Sequence, residues 1–522
     1  MARVRKPAPA APAAPATTAQ SLGSLLKSAR DIMRKDKGLN GDLDRLPMLT
    51  WIMFLKFLDD LELQREQDAE LSGKRFRAAI ETPYRWRDWA ANPHAGLTGD
   101  ELIRWINNDE AIGPDGKRGP GLFAYLRRLT SSNGDDRRDV IATVFRGVQN
   151  RMISGYLLRD VVNKVAALHF TATSELHTLG SLYESMLREM RDAAGDSGEF
   201  YTPRAVVRFI VQVTNPQLGE KVLDPACGTA GFLVEAFEHL RKQCHTVQHL
   251  RTLQETSLYG CEAKPLPFLL AQMNLLLHGL DAPQIDPGNA LRHKLTELGE
   301  RDRVDVIVSN PPFGGEEEKG IQGNFPEDKQ TADTALLFLQ LIMRKLRKTP
   351  RRGLPPARAA VVVPNGILFG DGVCARVKRE LLTQFNLHTI VRLPNGVFAP
   401  YTGIPTNVLC FDRSGPTKDV WYYEQPLPEG RKNYTKTAPL QLEEFADCIA
   451  WWGKRKTNDR AWKLSAAELL ADGCNLDRKN PSAKQDIAHL PPEQLAASIL
   501  QKEHRIAEIM ANVHKLLACW SK

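Results

Sequence analysis

The chain has 522 residues, a net charge of +8 and a pI near 9.0, with charged and apolar fractions typical of a water-soluble globular protein. That length holds two or three domains with real cores, and the basic balance favours a polyanionic partner. The eight cysteines are scattered without CxxC pairs, which argues against a structural zinc motif or a disulfide framework and for a reducing, cytoplasmic setting; no apolar run is long enough to span a bilayer.

Residues 1–20 are Ala/Pro-rich with Arg3, Arg5 and Lys6, the composition of a disordered tail, either solvated or touching nucleic acid. A helical N-terminal domain is predicted over 21–190. Leu22, Leu25 and Leu26 share a face, 49–63 carries apolar residues at helical spacing, and glycines and prolines near Pro93, Gly113 and Gly134 divide the segment. A further helix over 179–191 leads to Glu199-Phe200-Tyr201-Thr202-Pro203-Arg204. There Thr202 is placed as the N-cap and Pro203 as the first-turn proline of a helix over 205–213. The aromatics before it suit either a ligand cover or a hydrophobic staple.

From 191 to 425 the pattern becomes strand–helix alternation, which predicts a doubly wound, mostly parallel α/β sheet. A strand over 221–223 runs into Asp224-Pro225-Ala226-Cys227-Gly228-Thr229-Ala230-Gly231 and a helix over 232–241. The acid precedes the glycines, so this is not the GxGxxG turn that cradles a pyrophosphate; a carboxylate at a strand end suits a cationic group instead. The next strand, 257–261, ends on Glu262, placed to accept both hydroxyls of a ribose or to be a solvated strand-end acid. After a helix over 265–279, Asn289 in a turn could meet an adenine edge or only shape the turn.

The strand 304–308 stops at Ser309-Asn310-Pro311-Pro312-Phe313. Two prolines fix φ and remove two backbone donors, leaving stiffly held carbonyl acceptors. With the Asn310 amide and the flat ring of Phe313, they suit a planar ring with an exocyclic amino group, though Asn-Pro is also ordinary turn punctuation. A polar loop over 314–333 reads as a mobile lid or as disorder. Strands at 359–363, 389–393 and 406–411, the last closing the sheet, alternate with helices at 334–346 and 372–384. The basic residues Arg344, Lys345, Arg347, Lys348, Arg351 and Arg352 are candidate phosphate contacts or a solvated helix end. Residues 426–522 form a C-terminal region. Trp451, Trp452 and Trp462 suggest a small packed element, and a helix over 491–517 carries a short heptad seam at Ile499, Ile506, Ile509, Val513 and Leu516.

In order, this set resembles the adenine-N6 DNA methylases, which carry a [DNS]PP[YF] motif, and most closely the modification (M, or HsdM) subunit of type I restriction–modification systems. The resemblance covers the chain from about residue 20 onward. It implies a Rossmann-like methyltransferase sheet and S-adenosylmethionine as cofactor, with no metal. Asp224, Ala226, Gly228, Thr229, Ala230 and Gly231 would form the cofactor loop, flanked by Glu199, Phe200, Tyr201, Thr202, Pro203 and Arg204. Glu262 would hold the ribose and Asn289 the adenine side. Asn310 and Pro311 would accept hydrogen bonds from the target N6 amine, Pro312 would stiffen the turn, and Phe313 would stack on an adenine flipped out of double-stranded DNA. The implied partners are a specificity (S) subunit docked on the C-terminal helix, a second M subunit and, in the full complex, a restriction (R) nuclease subunit. Other readings of the motif are an N-methyltransferase of protein glutamine or RNA, or a non-catalytic cofactor-binding scaffold.

Overall fold

The computed structural model describes residues 19–73, 75–92, 96–130, 137–168, 202–399, 402–435, 438–482 and 492–520. The tail up to residue 18, the helix predicted over 179–191, and Glu199, Phe200 and Tyr201 lie outside the described residues. The chain divides into two units, one ending at Arg478 and one beginning at Lys479.

Helices lead the first unit. The run predicted over 49–63 is the middle of a 30-residue helix, Asp42–Leu71, which carries Pro47 in its second turn. Its segment from Met48 to Leu58 is buried on every side, so neighbours must wrap around it. They are the helices Ala19–Met33, Gly99–Asn107, Leu122–Arg127, Arg137–Arg146 and Gly155–Ala166, with a hairpin of β1 (Glu110–Ile112) and β2 (Arg118–Pro120). Trp51, Trp89 and Trp105 are fully buried in this core, Trp51 edge-on to Phe123 at 5.1 Å. The layer is not self-contained. Helix Pro265–Leu277 sends Leu269, Leu270, Met273 and Leu276 into it while its Phe268, Ala271 and Leu275 pack under the sheet. One helix thus belongs to two cores.

The sheet has nine strands: β3 (Val222–Asp224), β4 (Leu258–Cys261), β5 (Gln284–Asp286), β6 (Val306–Ser309), β7 (Arg358–Pro364), β8 (Asn386–Arg392), β9 (Thr406–Asp412), β10 (Asp419–Glu424) and β11 (Ala461–Ser465). Their order is β11-β10-β8-β9-β7-β6-β3-β4-β5. β5 to β7 run parallel, β9 is antiparallel between β7 and β8, β10 is parallel to β8, and β11 is antiparallel to β10. Side chains alternate between two buried faces, as period-2 geometry requires. Val222, Val306, Val308 and Val362 face helices Arg204–Thr214, Gly231–Arg241 and Pro265–Leu277, while Leu223, Ile307, Val361 and Val363 face helices Thr334–Lys345 and Val373–Gln384. The doubly wound α/β architecture is as expected.

The sheet does not close at residue 411. β10 and β11 extend it, held by aromatic stacking of Tyr422 on Trp462 at 5.3 Å and of Tyr423 and Trp421 against Trp451. The expected boundary at 425 therefore falls inside the sheet's own hydrophobic layers. The loop after β6 is packed rather than lid-like: Phe325 is buried with Leu291, Leu295 and Leu341, and short helical turns at Lys319–Gln322 and Glu327–Lys329 shape it. Half of the basic cluster anchors the fold. Arg344 donates to the Leu295 and Leu298 carbonyls, and Arg347 and Arg351 pair with buried Asp305.

In the second unit, helix Pro492–Trp520 leaves Ile499, Leu500, Ile506, Ile509, Met510 and Val513 exposed, an apolar stripe that includes Ile499, Ile506, Ile509 and Val513 of the predicted seam. Among the described residues, no helix is long and apolar enough to cross a membrane.

Candidate active site

The chain reverses direction across the sheet at β3. β4 and β5 follow on one side, β6 and β7 on the other. In open α/β sheets a ligand crevice opens at the carboxyl ends beside such a switch. There Ser309 Oγ, ending β6, donates to Asp224 Oδ1, ending β3, at 2.7 Å, and the Ala226 N–H reaches the same oxygen at 3.1 Å. Asp224 is almost fully buried. Burial, and secondarily the charge of Glu262, pushes its pKa up to about 7 against the pull of those two hydrogen bonds.

The loop after β3 turns through two residues in left-handed backbone, Gly228 at φ 54° and Ala230 at φ 62°. Glycine reaches that region freely and alanine does not, so Ala230 must be held by its surroundings. It is: its side chain is wholly buried and its N–H donates to the Cys227 carbonyl at 2.7 Å. Glu262, just past β4, ties the loop down from the other side. Its Oε2 accepts the Gly228 N–H at 3.0 Å and its Oε1 the Lys264 N–H at 2.8 Å. Asn274 Nδ2 fixes the Thr229 carbonyl at 2.8 Å. The nearby thiols stay protonated at neutral pH, Cys227 pushed well up by burial and Cys261 to about 12 by the same cause.

Arg204 begins the helix Arg204–Thr214 and donates from Nη1 to the Gly231 carbonyl at 3.1 Å; burial lowers its pKa to about 10, which leaves it charged. Pro203 occupies the N-cap position, one residue later than predicted, and Thr202 does not cap. The Thr202 hydroxyl accepts from Asn310 Nδ2 at 3.0 Å instead. That bond orients the amide so that Asn310 Oδ1 is buried with no hydrogen-bond partner. An orphaned buried acceptor costs about 1–3 kcal/mol, a cost natural sites keep where a ligand relieves it. Pro311 is buried behind it, and Phe313 meets Phe398 edge-to-face at 6.0 Å.

The structure thus brings Thr202, Pro203, Arg204, Asp224 to Gly231, Glu262 and Asn310 to Phe313 to one crevice. Asn289 is engaged in the fold: its Oδ1 caps the turn Ala290–Arg292 at the Leu291 N–H, and its Nδ2 points to Glu317. Sequence places Ser309 only within the strand-end stretch, with no role, and does not single out Phe398; both sit at the crevice. The sequence signal for Phe398 is that Pro394-Asn395-Gly396 just past β8 repeats Pro364-Asn365-Gly366 at the end of β7, two matching strand ends facing one edge.

A model of the N-6 DNA methylase family matches residues 174–489, and one of the HsdM N-terminal domain matches residues 22–165. Over 507 residues the chain is 45% identical to the methylase subunit of the type I restriction enzyme EcoEI of Escherichia coli, covering 95% of this chain and 98% of that one. A crystal structure of a modification subunit from Vibrio vulnificus YJ016 superposes with a TM-score of 0.86 at 68% identity, covering 91% of this chain and all of that one. A chain from a structural study of type I restriction–modification complex assembly gives 0.73 at 38% identity, covering 96% and 99%. The family model covers more than half of the chain, and the chain belongs to the N-6 DNA methylase family. Within the family it takes its place as a modification subunit, among the methylase subunits of type I restriction enzymes.

Proposed function

We propose that the chain methylates adenine N6 in double-stranded DNA with S-adenosylmethionine, at a site chosen by a separate specificity subunit. The observation that carries this reading is the buried, unpartnered Oδ1 of Asn310, an acceptor held ready for an amine hydrogen. The crevice suits the cofactor: Asp224 for the ammonium of its methionine part, the Gly228–Gly231 backbone for close approach, Arg204 beside it for the carboxylate, and Glu262 for the ribose. Bound there, the cofactor would supply an electrophilic sulfonium methyl.

The chain's own work is then positioning and electrostatics. Asn310 Oδ1 and the Pro311 carbonyl accept the two N6 hydrogens, which draws electron density onto nitrogen and aims its lone pair. Phe313 supplies a stacking face for a base taken out of the duplex, and Phe398 holds that ring edge-on. After transfer the amine proton leaves to solvent. The exposed apolar stripe of helix Pro492–Trp520 is the docking face for the specificity subunit. A second modification subunit and a restriction subunit complete the larger assembly, in the cytoplasm. Relatives that are DNA methylase subunits give no support to a protein-glutamine, RNA or scaffold role.

Titrating S-adenosylmethionine into the chain across pH tests the cofactor assignment. Asp224 must be ionised to pair with an ammonium, so affinity rises with pH through about 7 and falls about tenfold per unit below it. Asp224→Asn binds more weakly and without that slope. No binding at any pH, or a flat profile for the unaltered chain, contradicts the assignment.

A further inference from the structure

The acid assigned to the ribose has a second neighbour. Glu262 and Pro287, at the ends of β4 and β5, line a cavity of about 540 Å³ whose facing wall is the helical layer: Met48, Arg146, Val148 and Gln149. The loop that carries this wall is tightly built. Buried Asp36 accepts the N–H groups of Gly38, Ile153 and Ser154 at 2.8, 3.2 and 2.9 Å. Arg127 donates to the Phe145 and Val148 carbonyls at 2.9 and 2.8 Å. A Cβ on Gly147 would lie 3.7 Å from that of Pro265, so the loop runs in van der Waals reach of the helix behind Glu262. Among the described residues, Arg146 and Gln149 make no side-chain hydrogen bond or ion pair, and both are exposed. The cavity therefore combines Glu262, an Asp44 already paired with Arg151, apolar walls, a free amide and a free guanidinium.

We propose that the helical layer forms the outer wall of the cofactor's nucleoside site, with Gln149 hydrogen-bonding the adenine edge and Arg146 lying against its face. Met48, Val148 and Pro287 give the base its apolar surroundings while Glu262 takes the ribose. This rests on the cofactor reading above and extends it: the N-terminal layer becomes part of the cofactor site rather than a scaffold beside it. A guanidinium stacks on a flat ring readily, and a planar base with donors and acceptors on one edge matches an amide.

The test uses the full chain and its Arg146→Ala/Gln149→Ala variant, with Arg118→Ala on the exposed hairpin as a control. Both altered positions are solvent-facing, so the fold is retained; circular dichroism and thermal melting check this. The ligands are S-adenosylmethionine and 5′-methylthioadenosine, which keeps the nucleoside and lacks the amino acid. Losing one hydrogen bond and one stacked guanidinium weakens binding about tenfold, by the same factor for both ligands, and the control is unchanged. Hydrogen exchange of residues 146–152 slows when either ligand binds. Unaltered affinity in the double variant, or a loss confined to S-adenosylmethionine, overturns the shared wall while leaving the cofactor reading intact. Failure of the unaltered chain to bind either ligand overturns both.

Discussion

Replacing Asn310 with alanine lowers methyl transfer to DNA by about 10²–10³-fold while cofactor affinity stays within about threefold. The magnitude is that of removing one preorganised polar contact to a reacting group in a site closed to water. The split follows from the geometry. Asn310 touches Thr202 through Nδ2 and nothing through Oδ1, whereas the cofactor contacts assigned here belong to Asp224, the glycine loop and Glu262. The loss therefore falls on the chemical step, read by single-turnover transfer at saturating S-adenosylmethionine. Activity retained within tenfold would remove Asn310 from the mechanism, and a parallel collapse of cofactor binding would make it a structural residue.

Arg358→Ala has the largest expected effect on stability, a loss of about 3–5 kcal/mol, as when one partner of a buried ion pair is removed. Arg358 opens β7 and grips Glu220 through two bonds of 2.8 Å; Glu220 is fully buried. The same guanidinium donates to the carbonyls of Thr214 at 2.6 Å and Asn215 at 2.8 Å, the end of helix Arg204–Thr214. Without it, Glu220 keeps only the Gln217 N–H, and the helix end loses its tie to the sheet. That helix carries Arg204 at its other end, so the anchor also sets the site's geometry. Urea unfolding measures the loss. Replacing both partners by methionine recovers much of it, because no charge is left buried. A single-variant cost under about 1 kcal/mol would show that the pair does not hold the helix.

Much of this molecule is legible from residue types, and the gaps have physical causes. Buried parallel strands read as short apolar runs stopped by glycine, proline or acid, so β3, β4, β6, β7 and β9 stand within one or two residues of their predicted spans. β8 starts three residues early because His388 and Thr389 interrupt its apolar run at a bulge. Thr389 is buried and His388 half-buried all the same, and burial first, then the charge of Arg455, drives the His388 pKa down to about 4, keeping it neutral. β10 carries a local strand signal, Val420-Trp421-Tyr422-Tyr423, masked by the expectation that the sheet closes at residue 411, and β11 is a short run whose packing, Trp462 on Tyr422, lies between distant segments. Part of the basic cluster is ambiguous for the converse reason: charge in sequence looks the same whether it meets phosphate or, as for Arg347 and Arg351, Asp305. In the site, Asp224, Glu262 and Asn310 stand out as polar residues at strand ends. Ser309 and Phe398 become visible only when β6 lies beside β3 and the loop after β8 folds over the edge.

The most direct test of the account is to incubate the chain, alone and with its specificity subunit, with tritiated S-adenosylmethionine and plasmid DNA, then digest the DNA to nucleosides. The account predicts label in N6-methyldeoxyadenosine, weak for the chain alone and strong once the specificity subunit is added. Label in a methylated cytosine, label in protein or RNA with none in DNA, or full site-specific methylation by the chain alone would contradict it.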